Sequence, residues 1–469
     1  MQAKLIDQHE ASWWKRPAGG REVLGIAIPL VISSLSWTVM SFIDRIFLNW
    51  VSGAAMAAAF SASLVWFVFL CFPLGVCAYA NTFVAQYWGN HQPNKIGGAV
   101  WQAIWVASSS VIIVPLLIWI APWLFSLSGH SAEIQQLETD YFQALSWGSV
   151  GILVSQAGAA FYSGRGRTSV VMWVDTLFAL LNVVLDYCWI FGEFGFPEMG
   201  IVGAGYATSL ALCLKGVTYV LLMLQPQHRL KFATGSSYRF DFDLMQRLLK
   251  YGAPSGLQML VDVVGFTVFV MLIGRLGSLE HEATSMAFSI STLAFMPIWG
   301  FGLAVGILVG QRLGENQPEL AARATHTTLI VALTYMTIIS LLYLLIPQVF
   351  LFTFFLVESD PEYSVEVQNL AITLLRFVAA YNLFDAMLIV FSSAIKGAGD
   401  TRFVFLVSLV MAVFLALGSW LAIERLSFNV FGSWVLITGW VWATATIFGL
   451  RFLGGKWRSM RVIELVEAA

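Results

Sequence analysis

Long apolar runs alternate with short polar clusters along almost the whole chain. A membrane-spanning helix needs roughly 20 predominantly apolar residues, because only intrahelical bonds satisfy its backbone in hydrocarbon. Read this way, the pattern predicts twelve helices, near 23–47, 56–84, 98–122, 141–164, 168–191, 200–224, 250–274, 284–311, 323–346, 368–394, 402–424 and 430–453. The segments outside them are short. They are an N-terminal stretch 1–22, a polar linker 226–249 and a tail 454–469.

Basic residues in the loops orient the predicted spans. With the N-terminus placed in the cytoplasm, 20 of the 25 Lys and Arg fall in inner segments, Lys396 among them. Three fall outside: Arg45, Arg275 and Arg425. This asymmetry supports twelve spans with both termini cytoplasmic. Composition agrees: 58% of residues are hydrophobic and 11% are charged, too few charges to coat a water-soluble fold. A cytosolic enzyme, a disulfide scaffold and a nucleic-acid-binding protein are excluded on that ground. Cys71, Cys77, Cys188 and Cys213 all lie in apolar runs, with no CxxC, so neither a metal site nor a disulfide framework is indicated. No phosphate-binding GxxxxGK[ST] loop occurs, which excludes a built-in ATP motor. The apolar run at 23 lacks a cleavage-site pattern and reads as a retained span; the expected location is a bacterial inner membrane.

The chain also repeats. Pro29 and Pro254, Pro93 and Pro318, and Pro122 and Pro347 are each 225 residues apart, and Pro73 and Pro297 are 224 apart. Gln86-Tyr-Trp-Gly-Asn-His-Gln-Pro93 recurs as Gln311-Arg-Leu-Gly-Glu-Asn-Gln-Pro318. Gly164-Arg-Gly-Arg-Thr168 echoes Gly397-Ala-Gly-Asp-Thr401, with the longer spacing absorbed by an outer loop near 347–366. The expected fold is all-α and integral to the membrane, with two parallel six-helix lobes at 23–225 and 250–453. Parallel repeats of this kind mark transporters, with the substrate path between the halves.

Ionisable side chains inside spans are costly, so each is a functional hypothesis by default. Asp44 lies late in the first helix and Asp186 late in the fifth, both in the outer half. Asn182 is one turn before Asp186, and Ala204 and Thr208 are early in the sixth helix. Two carboxylates, an amide oxygen, a hydroxyl and a backbone carbonyl can therefore meet at one depth, which suits a small hard cation. Alternatively the two carboxylates share a proton, or Asp44 merely ends its helix at the interface. Asp175 shares the face of Asn182 and Asp186 but sits near the inner end, where capping and function are equally open. In the second half, Asp262 with Gln258 and Asp385 with Asn382 and Tyr381 lie near mid-depth, suggesting a second proton- or cation-linked set. Arg376 is on the opposite face from Asp385, and snorkelling explains it and Lys215. The 19 Trp and 36 Phe supply an interfacial belt and rings able to stack on flat cations.

These landmarks together resemble the multidrug and toxic compound extrusion (MATE) transporters over roughly residues 20–455. They are Pro29 with Asp44, Gln86-x-x-Gly89, Gln311-x-x-Gly314, Asn182-x-x-x-Asp186-Tyr187, Gly203-Ala-Gly-Tyr-Ala-Thr208, Gly252-Ala-Pro-Ser-Gly256 and Gly397-Ala-Gly-Asp-Thr401. The resemblance implies a V-shaped pair of lobes and no enzymatic activity. It implies export of small organic, cationic and aromatic molecules, coupled to inward Na+ or H+ flow by a monomer without other cofactors. It also implies a first-lobe cation site at Asp44, Asn182, Asp186, Thr208 and the Ala204 carbonyl. Asp262 stands where one branch of the family often has a glutamate, one methylene longer, and Asp385 matches the acid of the tenth helix. Competing expectations are a flippase for lipid-linked saccharides, which would favour a more basic cavity, and a major facilitator, whose basic loop after the second helix is missing. A membrane enzyme or receptor would need a nucleophile–base pair, metal ligands or a sizeable soluble domain, and none is visible.

Overall fold

The computed structural model describes residues 12–351 and 361–464, and all regular structure among them is helical. Parts of the expected segments 1–22 and 454–469, and much of the loop near 347–366, lie outside the described residues. The first half comprises α1 (Gly20–Val51), α2 (Gly53–Gly89), a third span of α3 (Ile96–Ser109) and α4 (Ile113–Ser126), a fourth of α5 (Ala132–Ser146) and α6 (Ser149–Ser163), α7 (Thr168–Phe191) and α8 (Gly200–Met223). A short α9 (Pro226–Lys231) leads to α10 (Phe242–Ile273), α11 (Ser278–Gly314) and α12 (Pro318–Leu345). Then come a short α13 (Pro347–Leu351), α14 (Pro361–Ala398), α15 (Thr401–Glu424) and α16 (Val430–Leu453). Among the described residues, eleven helical stretches are long and apolar enough to cross a membrane, and the pair α5–α6 supplies a twelfth.

Several helices outrun their apolar segments. α5 begins at Ala132 rather than near 141, because Ser131 accepts a bond from Ile134 N at 3.4 Å and caps a polar first stretch. α10 begins at Phe242, where Asp241 accepts from Leu244 N at 3.0 Å. Hydropathy marks only the part of a helix in hydrocarbon, and the helix continues into water wherever a cap satisfies its end.

The interruptions also have local causes. The third span tightens to a 3-10 turn at Ser110–Ile112. Pro115 follows immediately and cannot donate to Val111 O. Ser109 and Ser110 bond back to Val106 O and Ala107 O at 2.7 and 2.5 Å, which further loosens the turn. The fourth span bends by 43° between α5 and α6. Ser209 of α8 donates to Ala144 O at 2.7 Å and Leu145 O at 3.1 Å, satisfying carbonyls that the break releases.

The chain forms two compact units. One gathers Ile32–Leu257, Gly310–Asn316 and the segment from Arg461; the other gathers the chain up to Val31, Gln258–Val309 and Gln317–Met460. In the first, α8 packs on α6 and α7. Glycines bring backbones into contact there: a Cβ on Gly151 would lie 2.6 Å from Cys213 N, and one on Gly216 2.9 Å from Gly151 O. Small residues drive such packing in membranes, where lipid gives no hydrophobic force between helices. In the second unit α14 lies against α12 and α16.

Candidate functional site

The five first-half candidates lie on α1, α7 and α8, and the structure brings Asp44, Asn182, Asp186 and Thr208 together. Asn182 and Asp186 are fully buried, one turn apart on α7. Asn182 Nδ2 donates to Asp186 Oδ1 at 3.3 Å and to Thr208 Oγ1 of α8 at 3.2 Å. Asp44 of α1 lies near enough to Asp186 for their charges to interact. Ala204 is buried one turn before Thr208, with only a methyl group at that level of the helix. Just beyond the acids, Phe47 of α1 meets Tyr187 and Phe191 of α7, both at 5.9 Å between ring centroids, so aromatic packing holds the two acid-bearing helices together.

This cluster is rich in acceptors and poor in donors. Asp44 Oδ1, Asn182 Oδ1 and Asp186 Oδ2 are buried, and no donor reaches them. A buried acceptor without a partner costs about 1–3 kcal/mol. Arg45, next in the chain, attracts Asp44 electrostatically, but its guanidinium is exposed and stacks 4.9 Å from the Phe60 ring centroid. Two buried carboxylates beside each other need a cation or a proton to balance them. Among the described residues no three His, Cys, Asp or Glu side chains converge.

Nothing in the sequence singles out Tyr141. Its ring is buried on α5, beside the Asp44 carboxylate and Ser63 of α2. It follows a polar stretch, and only the packing of α5 directs it to Asp44.

The second-half candidates separate into two places. Gln258 Nε2 donates to Asp262 Oδ2 at 3.0 Å, and Ser408 of α15 lies close to that carboxylate. Lys396, a loop cation by its place in the sequence, lies in the last turn of α14, and its charge acts on Asp262. Asp385 has a different neighbourhood. Asn382 turns to Ser340 at 3.2 Å, and Tyr381 lies 3.4 Å from Ser291 Oγ while sensing the Asp385 charge. Helical spacing placed Asn382 and Asp385 as companions, but the neighbouring α12 captures the amide.

Snorkelling of Lys215 is corrected by the structure. Its Nζ lies 3.5 Å from Asp175 Oδ1, with both side chains largely buried. Tyr219 donates to Asp175 Oδ1 at 3.0 Å, and Ser33 of α1 donates to Asp175 Oδ2. Asp175 is therefore a junction of α1, α7 and α8, the three helices that carry the acceptor cluster. Lys215→Met is expected to destabilise the protein by about 3 kcal/mol by leaving the carboxylate uncompensated. Asp175→Asn combined with Lys215→Met should regain at least half of the lost thermal stability; no recovery in the double variant would show that the pair does not interact.

Comparison with known proteins adds the lineage. The MatE family model matches the chain twice, over residues 29–188 and 254–421. The chain belongs to the MATE family. The two matches begin at Pro29 and Pro254, the register that the paired prolines mark, so the halves of this MATE protein are repeats of one unit. It is an integral membrane protein from a family of small-molecule transporters. Solved structures share the fold. One is a multidrug resistance MATE family transporter of the MOP superfamily in an outward-facing conformation, with TM-score 0.82 and 18% identity, over 93% of this chain and 96% of that one. A MOP superfamily transporter from Pyrococcus furiosus, described as having a binding pocket of reverse polarity suggesting a different function, matches with TM-score 0.81 and 20% identity over 94% and 96%. A eukaryotic MATE transporter matches with TM-score 0.82 and 18% identity over 93% and 96%.

Proposed function

We propose that this MATE protein exports small organic cations in exchange for Na+ or H+, with the coupling ion held by Asp44, Asn182, Asp186, Thr208 and the Ala204 carbonyl. The observation that carries this reading is the set of three buried acceptor oxygens that no donor reaches. Such a set is unfavourable alone and becomes favourable when a cation arrives. A coupling ion does work only if it binds one conformation better than the other. A site spread over α1, α7 and α8 meets that need, because any shift of α1 against the other two changes the oxygen shell. One structural relative is a multidrug resistance transporter, which is consistent with drug-like substrates. In this reading the protein works as a monomer in a bacterial inner membrane with both termini cytoplasmic.

The second-half acids then divide the labour. Asp262 has an internal counter-charge in Lys396, whereas among the described residues no cation acts on Asp385, which has Tyr381 beside it. Asp385 is the acid offered to a cationic substrate. Asp385→Asn is expected to raise the half-saturating substrate concentration roughly tenfold with a smaller change in maximal rate. Ethidium efflux from proteoliposomes, under Na+ and H+ gradients imposed separately, tests the whole reading. One gradient should drive efflux. Efflux that responds to neither removes the antiport.

A further inference from the structure

The linker after α8 builds a site remote from the acids. Trp101 of α3 donates its indole N–H to Thr234 O at 2.8 Å, and Trp105 donates to Tyr238 O at 3.0 Å. Gln102 Nε2 donates to Arg239 O at 3.1 Å. These bonds lay the linker along about one turn of α3. Its near end is fixed by Arg165, whose guanidinium lies 3.8 Å from the Phe161 ring centroid and 4.3 Å from that of Phe232. Burial lowers the Arg165 pKa to about 10, so it remains cationic at neutral pH and these cation–π contacts persist.

Between the linker and α3 is a surface cavity of about 760 Å³ lined by Trp101, Trp105, Leu224, Arg229, Ser236 and Tyr238 among others. One wall is aromatic and the other carries a guanidinium. Arg229 Nε donates to Leu224 O at 2.7 Å, which sets the plane of the fork. The side chain is exposed, and among the described residues no carboxylate pairs with it. Leu230 beside it is 92% exposed, and Tyr238, Phe240 and Phe242 also face outward. An apolar cluster of this kind is out of place in water and well placed at the boundary of headgroups and acyl chains. Trp residues favour the same boundary.

We propose that this groove binds one anionic phospholipid, its phosphate on the Arg229 fork and an acyl chain along Trp101 and Trp105. Charge decides the occupant. Arg229 is the one charged side chain among the residues that line the cavity, and Asp241 and Asp243 further along the linker are not part of its walls. A second copy of the chain would bring the same positive charge against it. A zwitterionic lipid would bring its own cation beside Arg229. Arg is also the side chain best matched to a phosphate, through two parallel N–H bonds.

The test uses the full-length protein, purified in detergent and supplied with phosphatidylglycerol or phosphatidylcholine, with bound lipid counted by native mass spectrometry. Wild type should retain phosphatidylglycerol about fivefold more than phosphatidylcholine, the scale of one interfacial basic residue. Arg229→Gln should erase the preference while leaving elution volume and melting temperature in the absence of lipid unchanged. Arg229→Lys should retain part of it. Equal retention of the two lipids by wild type, an undiminished preference in Arg229→Gln, or displacement of the lipid by glycerol phosphate at equal concentration would each overturn the proposal. So would dimerisation through this face in place of bound lipid.

Discussion

Asp186→Asn is expected to lower gradient-driven ethidium efflux by about 100-fold, near the upper end of typical coupling between linked sites, while the protein still inserts and elutes normally. The amide is nearly isosteric with the carboxylate, so the bond from Asn182 at 3.3 Å can still be accepted. What disappears is the charge at a fully buried position facing Asp44. Without it, binding of the coupling cation no longer distinguishes two conformations, and the ion gradient has nothing to push against. Asp44→Asn should act in the same direction, because the two acids compensate one cation between them. Tyr141→Phe should have a smaller effect, since it removes a hydroxyl beside Asp44 and no charge. A Trp-fluorescence or calorimetric titration with Na+ at fixed pH separates the two ions: sodium coupling predicts saturable binding in wild type and none in Asp186→Asn. Efflux by Asp186→Asn at the wild-type rate would remove the first-half assignment.

The parts of this site that could be read in advance share one property. They lie on helices whose depth and face follow from spacing. Asp44, Asn182, Asp186 and Thr208 were placed at one level because the direction of each span follows from loop charge and a helix repeats every 3.6 residues. The pair Gln258 and Asp262 also met, being one turn apart on one helix. Spacing along one helix does not say what a neighbouring helix offers. Asn382 was therefore assigned to Asp385, although Ser340 of α12 captures its amide. Lys215 was assigned to the interface, although Asp175 lies 3.5 Å away on α7. Lys396 was counted as a loop charge because it stands two residues from the end of α14, yet its charge acts on Asp262. Tyr141 needed the packing of α5, and the bend that ends α5 has no strong local signal: Gly148 leaves room for Ser209 of a different helix, which stabilises it.

The duplicated Gln-x-x-Gly segments are explained only by tertiary contact, and they carry the largest expected structural effect. Gly89 ends α2 and Gly314 ends α11, and both belong to the same compact unit. A Cβ on Gly89 would collide with the carbonyl oxygen of Gln311, and a Cβ on Gly314 would collide with the carbonyl oxygen of Gln86. Each glycine of the repeated motif therefore makes room for the backbone of the other copy. The glutamines complete the crossing. Gln311 Nε2 donates to Gly164 O at 2.8 Å, and Gln86 Oε1 accepts from Val462 N at 2.9 Å. Overpacking of a tight site costs about 1–3 kcal/mol or more, and here the obstacle is backbone in helix, which cannot rotate away as a side chain can. Gly89→Val and Gly314→Val are each expected to lower stability by about 3 kcal/mol, and the double variant should fail to accumulate as folded protein. Gly25→Ala is the control, because a Cβ there meets nothing within 4 Å. Fluorescence-detected size exclusion on heated detergent extracts reads the outcome. Melting temperatures for both valine variants equal to that of Gly25→Ala would mean that the two helix ends can separate without cost, and the duplicated glycines would then need another explanation.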